Sequence, residues 1–314
     1  MIAAFAPATV SNVAAGFDVL GFALDQPGDV VLAALADGAG ATIAEVSGDA
    51  GRLPREPGRN TASAAANALL AALGTRQGIA LTLHKGLPLA SGVGSSGASA
   101  VAAVVAVNEL LGRPADLDLL LRCAMAGEQA GCGAVHPDNV APALYGGFVL
   151  ARSADPPDIV RLPVPAGLAV AVLHPAIEVH TGTARALLGD SVPLQAAVRQ
   201  WANVGALVSA LHTGDLALLS RALEDHVAEP KRAGLVPGFY AIKAAALDAG
   251  ALGCSLSGSG PSMFALARSL AAATAAGQAM ADAWRAASPT VDADLWVSPV
   301  GTHGARVVTP GSVR

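Results

Sequence analysis

Short apolar runs and alternation predict strands over residues 3–8, 19–24, 29–36 and 79–84, the first two flanking a Ser-Asn-Val-Ala-Ala-Gly turn. Helical spacing predicts an alanine-rich helix over 61–73, which Asn60, just after a Pro-Gly turn, is placed to cap. A second helix over 97–111 is apolar on every side until Asn108 and Glu109, as in a helix buried inside a domain. A third opens at Asp116 and runs to about 130. The prolines of Asp155-Pro156-Pro157 and Pro163-Val164-Pro165 then mark a boundary, dividing the chain into domains 1–160 and 161–314. Beyond it the pattern gives a strand over 168–173 and helices over 194–211, 215–227 and 238–249. A strand–turn–strand unit over 251–267, a helix over 269–287 and a strand over 295–300 follow. Helices and strands mix throughout, so the class is α with β.

Composition changes the picture only in what it excludes. The 314 residues suffice for two domains with their own cores. Hydrophobic residues at 53%, charged residues at 14% and a mean hydropathy of +0.51 suggest a membrane protein at first. The 72 alanines largely account for this. The longest charge-free stretch, 86–108, is broken by Pro88 and by repeated glycine and serine, so no transmembrane helix is expected. No signal peptide is evident at the N-terminus. A net charge of −5, with 19 basic residues scattered along the chain, argues against a nucleic-acid partner. Cys123, Cys132 and Cys254 form no CxxC pair, so a reducing, cytoplasmic setting is expected.

The sharpest local feature is Pro88-Leu89-Ala90-Ser91-Gly92-Val93-Gly94-Ser95-Ser96-Gly97-Ala98, which opens into the apolar helix. Its glycines allow several amides to turn toward one anion, and the helix start adds unpaired N–H groups and its dipole. It is not a Walker A loop, because no Gly-Lys-Ser/Thr follows. A surface turn is the bland alternative, but burying an uncapped helix start would strand its amides, which favours a phosphate site. The second Gly/Ser segment, 255–262, reads more simply as a hairpin turn.

Glu128 lies about 20° from Leu117 on the apolar stripe of the third helix, at about 100° per residue. A carboxylate facing a core needs a partner, a proton or a metal, unless it ends a helix and reaches solvent. Just downstream, His136, Asp138 and Asn139 sit between glycines and prolines, as in a rigid binding loop. Asn12 and Asp18 flank a turn in an apolar stretch, Arg185 follows Thr181-Gly182-Thr183 in a similarly uncharged region, and Arg232 follows Glu229-Pro230-Lys231. Each of these alone is most simply a surface residue.

In combination and in order, Ala6–Asn12 with Gly16–Gly21, the 88–98 loop, His136–Pro142, Thr181–Arg185 and Gly253–Pro261 resemble the GHMP small-molecule kinases over nearly the whole chain. The segments 16–21 and 136–142 resemble the branch acting on L-homoserine. The resemblance implies an α+β fold: an N-terminal βαβ-type phosphate-loop domain, a C-terminal ferredoxin-like domain and an active site between them. It implies ATP and Mg2+ as cofactors, small-molecule substrates and a homodimer. By resemblance, the 88–98 loop wraps the triphosphate, Ser96 and Glu128 hold magnesium, and Asn60 and Lys85 lie near the nucleotide. Asp18 pairs the substrate ammonium, Arg185 and Arg232 take its carboxylate, and Asn12, His136, Asn139 and Thr181 orient the hydroxyl. Related kinases place an Asp beside the hydroxyl where this chain has Asn139, so positioning and charge neutralisation are expected rather than a side-chain base. Two departures stand out: Gly97 replaces a usual alanine, and Val13-Ala14-Ala15 replaces a Gly/Pro-containing turn. A kinase of mevalonate-like or sugar alcohols, or a non-catalytic sensor of the same fold, are the alternatives.

Overall fold

A computed structural model describes residues 1–133 and 135–309, with Cys132 described by its backbone alone. The chain opens with β1 (Ile2–Ser11) and the long β2 (Leu20–Ala36), followed by β3 (Gly40–Ser47), α1 (Thr61–Ala72) and β4 (Gly78–His84). The two strands expected at 19–24 and 29–36 are one continuous strand. β3 and β4 are parallel neighbours joined through α1, a βαβ unit in an otherwise antiparallel sheet. Asn60 caps α1 as expected, its Oδ1 accepting from the Ala62 amide at 3.0 Å.

Then come α2 (Ser95–Leu110), α3 (Leu117–Cys132) and α4 (Pro137–Tyr145). Asp116 caps α3 through the Leu119 amide at 2.8 Å. α2 is buried nearly all round, as its apolar pattern requires. Alanine's small side chain lets it lie against β1 and β2 while α1 and α3 flank it.

The strands β5 (Phe148–Ala154) and β6 (Pro157–Leu162) form an antiparallel hairpin that completes the first, seven-stranded sheet. Asp155-Pro156 is the tip of that hairpin rather than a boundary; proline punctuates hairpins and linkers alike. The sheets change over between Leu162 and Ala169, where β7 (Ala169–Pro175) begins.

Beyond β7 lie α5 (Thr181–Ala186), α6 (Leu194–Thr213), α7 (Leu216–Ala222), the single turn α8 (Glu229–Arg232) and α9 (Phe239–Asp248). They are followed by β8 (Gly253–Leu256), β9 (Met263–Ala267), α10 (Leu270–Ala287), β10 (Ala293–Pro299) and β11 (Arg306–Val308). The second sheet is antiparallel in the order β10-β7-β9-β8, with α9 before β8 and α10 before β10. That is the βαββαβ order of a ferredoxin-like domain. The last strand, β11, returns to the first sheet and pairs with β1, so residues 306–308 complete the N-terminal sheet. One core runs through both sheets: Phe22 of β2 packs on Phe148 at 4.8 Å and edge-on against Phe264 of β9 at 6.0 Å.

Candidate active site

The 88–98 loop forms one wall of a cleft of about 580 Å³ that lies between the two sheets. Ala90, Gly92 and Gly94 have positive φ, at 53°, 79° and 69°. Space as well as φ demands glycine here. A Cβ on Gly92 would stand 2.5 Å from the Ser257 carbonyl oxygen, and one on Gly94 would stand 2.1 Å from Thr9 Oγ1. The outer side of the loop is tied down. Ser91 O accepts from the Ser262 amide at 3.3 Å, Gly92 O from Ser257 Oγ at 2.7 Å and Val93 O from the Thr9 amide at 3.0 Å. On its other side Leu89, Ala90, Ser91, Gly92 and Gly94 line the cleft. Gly94 is the N-cap of α2 and provides no side-chain cap, so the first amides of a buried helix open onto the same space.

The Gly/Ser segment 255–262 is the expected hairpin turn between β8 and β9; it packs against the loop, and its Gly258 and Ser259 line the cleft beside it. It also organises the neighbouring turn. Asn12 Nδ2 donates to Gly258 O at 2.8 Å, while Asn12 Oδ1 accepts from the Asp18 amide at 3.0 Å. The turn between them is strained: Asn12, Val13, Ala14 and Asp18 all lie in the left-handed region. This is where the sequence departs from a glycine-containing turn.

Glu128, 4% exposed, reaches the loop from α3, and Ser96 Oγ donates to its Oε1 at 2.6 Å. The two residues assigned to magnesium are therefore adjacent at the helix start. Among the described residues no group of three or more His, Cys, Asp or Glu could hold a metal. A carboxylate and a hydroxyl are nonetheless the oxygen donors that suit a small divalent cation sharing its shell with phosphate and water. Asn60 and Lys85 also line the cleft. The Asn60 amide is largely engaged, accepting from Ala62 and donating to Pro54 O at 3.0 Å. Lys85 turns inward to Asp29.

The same cleft is lined by Asn12, Asp18, His136, Asn139, Thr181, Arg185 and Arg232, all seven of the residues expected around the second substrate. Of the loop, Pro88, Val93, Gly97 and Ala98 stand behind the lining. Arg185 donates to Asp18 at 2.6 Å. Both Arg185 and Arg232 stand over the Phe17 ring, at 5.6 and 5.2 Å, which brings two guanidinium groups together. Arg232 is held more firmly. Its helical turn is capped by Asp225, which accepts from the amides of Val227, Ala228 and Glu229. Glu229 is buried and takes Lys243 and Ser255, both at 2.6 Å. The guanidinium donates to Ala184 O at 3.1 Å and Gly258 O at 3.3 Å. Burial lowers the basicity of both Arg232 and His136.

For one residue of this wall the sequence showed a place in a rigid binding loop but not its environment. Asp138, at the second position of α4, is 1% exposed, and its Oδ1 is buried without a hydrogen-bond partner among the described residues. Burial, reinforced by the nearby Asp18 charge, raises its carboxyl to about 7. A lone carboxylate in an uncharged His-Pro-Asp-Asn run was the available signal. Such an acid otherwise reads as an ordinary partner of a helix start.

A phosphate cradle facing a polar pocket across two such domains defines a small-molecule kinase. Residues 60–147 match the GHMP kinases N terminal domain and residues 207–286 match the GHMP kinases C terminal domain. Within that class the chain belongs to the homoserine kinases. It is 49% identical to the homoserine kinase of Chlorobium phaeovibrioides over 97% of this chain and 98% of that one. It also superposes on the crystal structure of homoserine kinase from Cytophaga hutchinsonii with a TM-score of 0.95 and 52% identity, covering 98% and 97% of the two chains. An L. major mevalonate kinase bound to R-mevalonate shares the fold at a TM-score of 0.70 with 17% identity, covering 94% of this chain and 95% of that one. As a member of a kinase family, the chain uses ATP. Among the described residues no helix is long and apolar enough to cross a membrane.

Proposed function

We propose that this chain transfers the γ-phosphoryl group of ATP to the side-chain hydroxyl of L-homoserine, giving O-phospho-L-homoserine and ADP, in the cytoplasm and as a homodimer. The observation that carries the reading is that Asp18, Asp138, Arg185 and Arg232 line one pocket beside the 88–98 loop. Two carboxyl groups and two guanidiniums in one pocket match a zwitterion, whereas mevalonate or a sugar has no ammonium to offer.

In this reading the loop amides and the start of α2 hold the triphosphate, while Arg185 and Arg232 take the amino-acid carboxylate. Asp138 joins Asp18 in receiving the ammonium, because a buried carboxylate oxygen without a donor gains most from a cationic one. Asn12, His136, Asn139 and Thr181 orient the hydroxyl toward the phosphate. Ser96 and Glu128 would hold Mg2+, which supplies charge neutralisation on the phosphates. With Asp138 committed to the ammonium, the hydroxyl proton passes to the phosphate oxygens or to water. The residues thus act mainly by positioning and electrostatics.

The deciding experiment is ADP release measured with homoserine, mevalonate, galactose and shikimate in parallel. Turnover with homoserine alone is expected; selective turnover of one of the others would overturn the reading. Sedimentation of the purified chain tests the dimer.

A further inference from the structure

Beneath the phosphate loop lies a buried ion pair that no step of the reaction above uses. Asp29 of β2 is fully buried, and the side chain of Lys85, just past β4, is 1% exposed. The lysine ammonium has three N–H groups and three acceptors: Asp29 Oδ2, Ser95 O at 2.9 Å and Ser99 Oγ at 2.8 Å. None is left to reach a phosphate.

Asp29 is equally engaged. Its Oδ1 accepts from the amides of Gly86 and Leu87 at 3.0 and 3.2 Å, and its Oδ2 also accepts from Ser99 Oγ at 2.6 Å. Gly86 and Leu87 begin the loop; Ser95 and Ser99 belong to the first turns of α2, where the loop ends. The pair therefore clasps the two ends of the cradle together. Its net charge is zero, so it adds little field at the phosphates. A buried ion pair is also a poor source of stability, since well-packed apolar side chains of similar volume are often as good. What it offers instead is direction: six hydrogen bonds that set the two ends of the loop against each other.

We propose that Lys85 and Asp29 are positioning residues for the phosphate loop, fixing the relative placement of its two ends and so the aim of its amides, without touching the nucleotide. The assignment rests on the loop being the nucleotide site of the proposed reaction. It also moves Lys85 from a nucleotide contact to a support beneath one.

The test is the double variant Asp29→Leu/Lys85→Met, which removes the clasp without stranding a buried charge. ADP affinity is read by calorimetry in the absence of homoserine, and KM is measured for each substrate. A folded double variant with ADP affinity down by about tenfold or more and KM for homoserine within about twofold is the expected result, since small misplacements of binding groups have large effects. Unchanged ADP affinity in the folded variant would show a merely structural pair, and equal losses for both substrates would show general loosening; either overturns the proposal. So would an ADP-bound structure with Lys85 Nζ on a phosphate. Should the double variant fail to fold, Ser99→Ala decides. It keeps both charges, and ADP affinity reduced by about threefold at unchanged Tm supports the clasp, while unchanged affinity overturns it. Because ADP binding is read alone, a chain that binds ADP but ignores homoserine would overturn the proposed reaction and leave this inference standing.

Discussion

Arg185 donates to Asp18 at 2.6 Å, so two groups assigned to opposite ends of the substrate neutralise each other across the cleft. The pair is half-exposed, with side-chain exposures of 49% and 39%, and such pairs contribute only about 0–1 kcal/mol. A zwitterion can therefore replace it at little cost, each end of the substrate taking one partner.

It follows that Asp18→Asn leaves stability nearly unchanged, within about 0.5 kcal/mol, while KM for homoserine rises by about tenfold or more. Thermal melts beside steady-state kinetics check this. A large loss of stability with unchanged KM would contradict the assignment.

Asp138 behaves differently because it is buried. Its carboxyl sits at about 7 in the folded chain, against 3.8 ordinarily, so the folded state holds a proton that the unfolded state has released between those values. Stability of the ligand-free protein therefore falls as pH rises from about 4 to about 7 and then levels off. Asp138→Asn removes this penalty, so its Tm should exceed that of the parent increasingly over that range.

The same group sets a pH dependence for the substrate. Below about 7 the ammonium must displace the Asp138 proton, so KM for homoserine rises by up to about tenfold per pH unit on acidification while KM for ATP does not follow it. In Asp138→Asn the homoserine KM is high at every pH and its acid limb is lost. Loss of nearly all kcat at unchanged KM would instead make Asp138 the base for the hydroxyl.

Arg232→Ala removes a guanidinium that is 3% exposed and anchored on Ala184 and Gly258. Losing one partner of a buried charged contact costs about 2–5 kcal/mol, so KM for homoserine should rise by about 30-fold or more, and far more than KM for ATP. Equal effects on both substrates would argue against its carboxylate role.

The cradle was legible because its signals are local. A helix apolar on every side has to be buried, and Ser95–Leu110 is; its start without a capping residue is what pointed to a ligand there. Glu128 was legible from the stripe it interrupts. Asp138 was legible only as a polar residue of the 136–142 loop; its burial comes from α4 packing on β2, where a Cβ on Gly21 would stand 1.8 Å from the Asp138 carbonyl oxygen. The Asp18–Arg185 and Asp29–Lys85 pairs join residues far apart in sequence, which no local period records. β11 has three residues and depends on β1 for its strand form, and the hairpin at Asp155 carries the same prolines a linker would.

Ser96 and Glu128 give the most direct test of the metal. Their 2.6 Å hydrogen bond keeps the hydroxyl and carboxylate at the start of α2, where the uncapped amides and dipole favour the phosphates. Glu128→Gln preserves shape and one acceptor oxygen but removes the charge that would hold a divalent cation. The Mg2+ concentration for half-maximal activity should rise by about tenfold or more, with KM for homoserine little changed, because the loss falls on the metal rather than on the amino-acid pocket. Ser96→Ala should show the same direction with a smaller shift, since a hydroxyl is a weaker ligand than a carboxylate. Titrating Mg2+ at fixed ATP and homoserine in all three proteins separates this from a folding defect, which would lower the plateau without moving the midpoint. A midpoint unmoved in both variants would take the metal away from this pair.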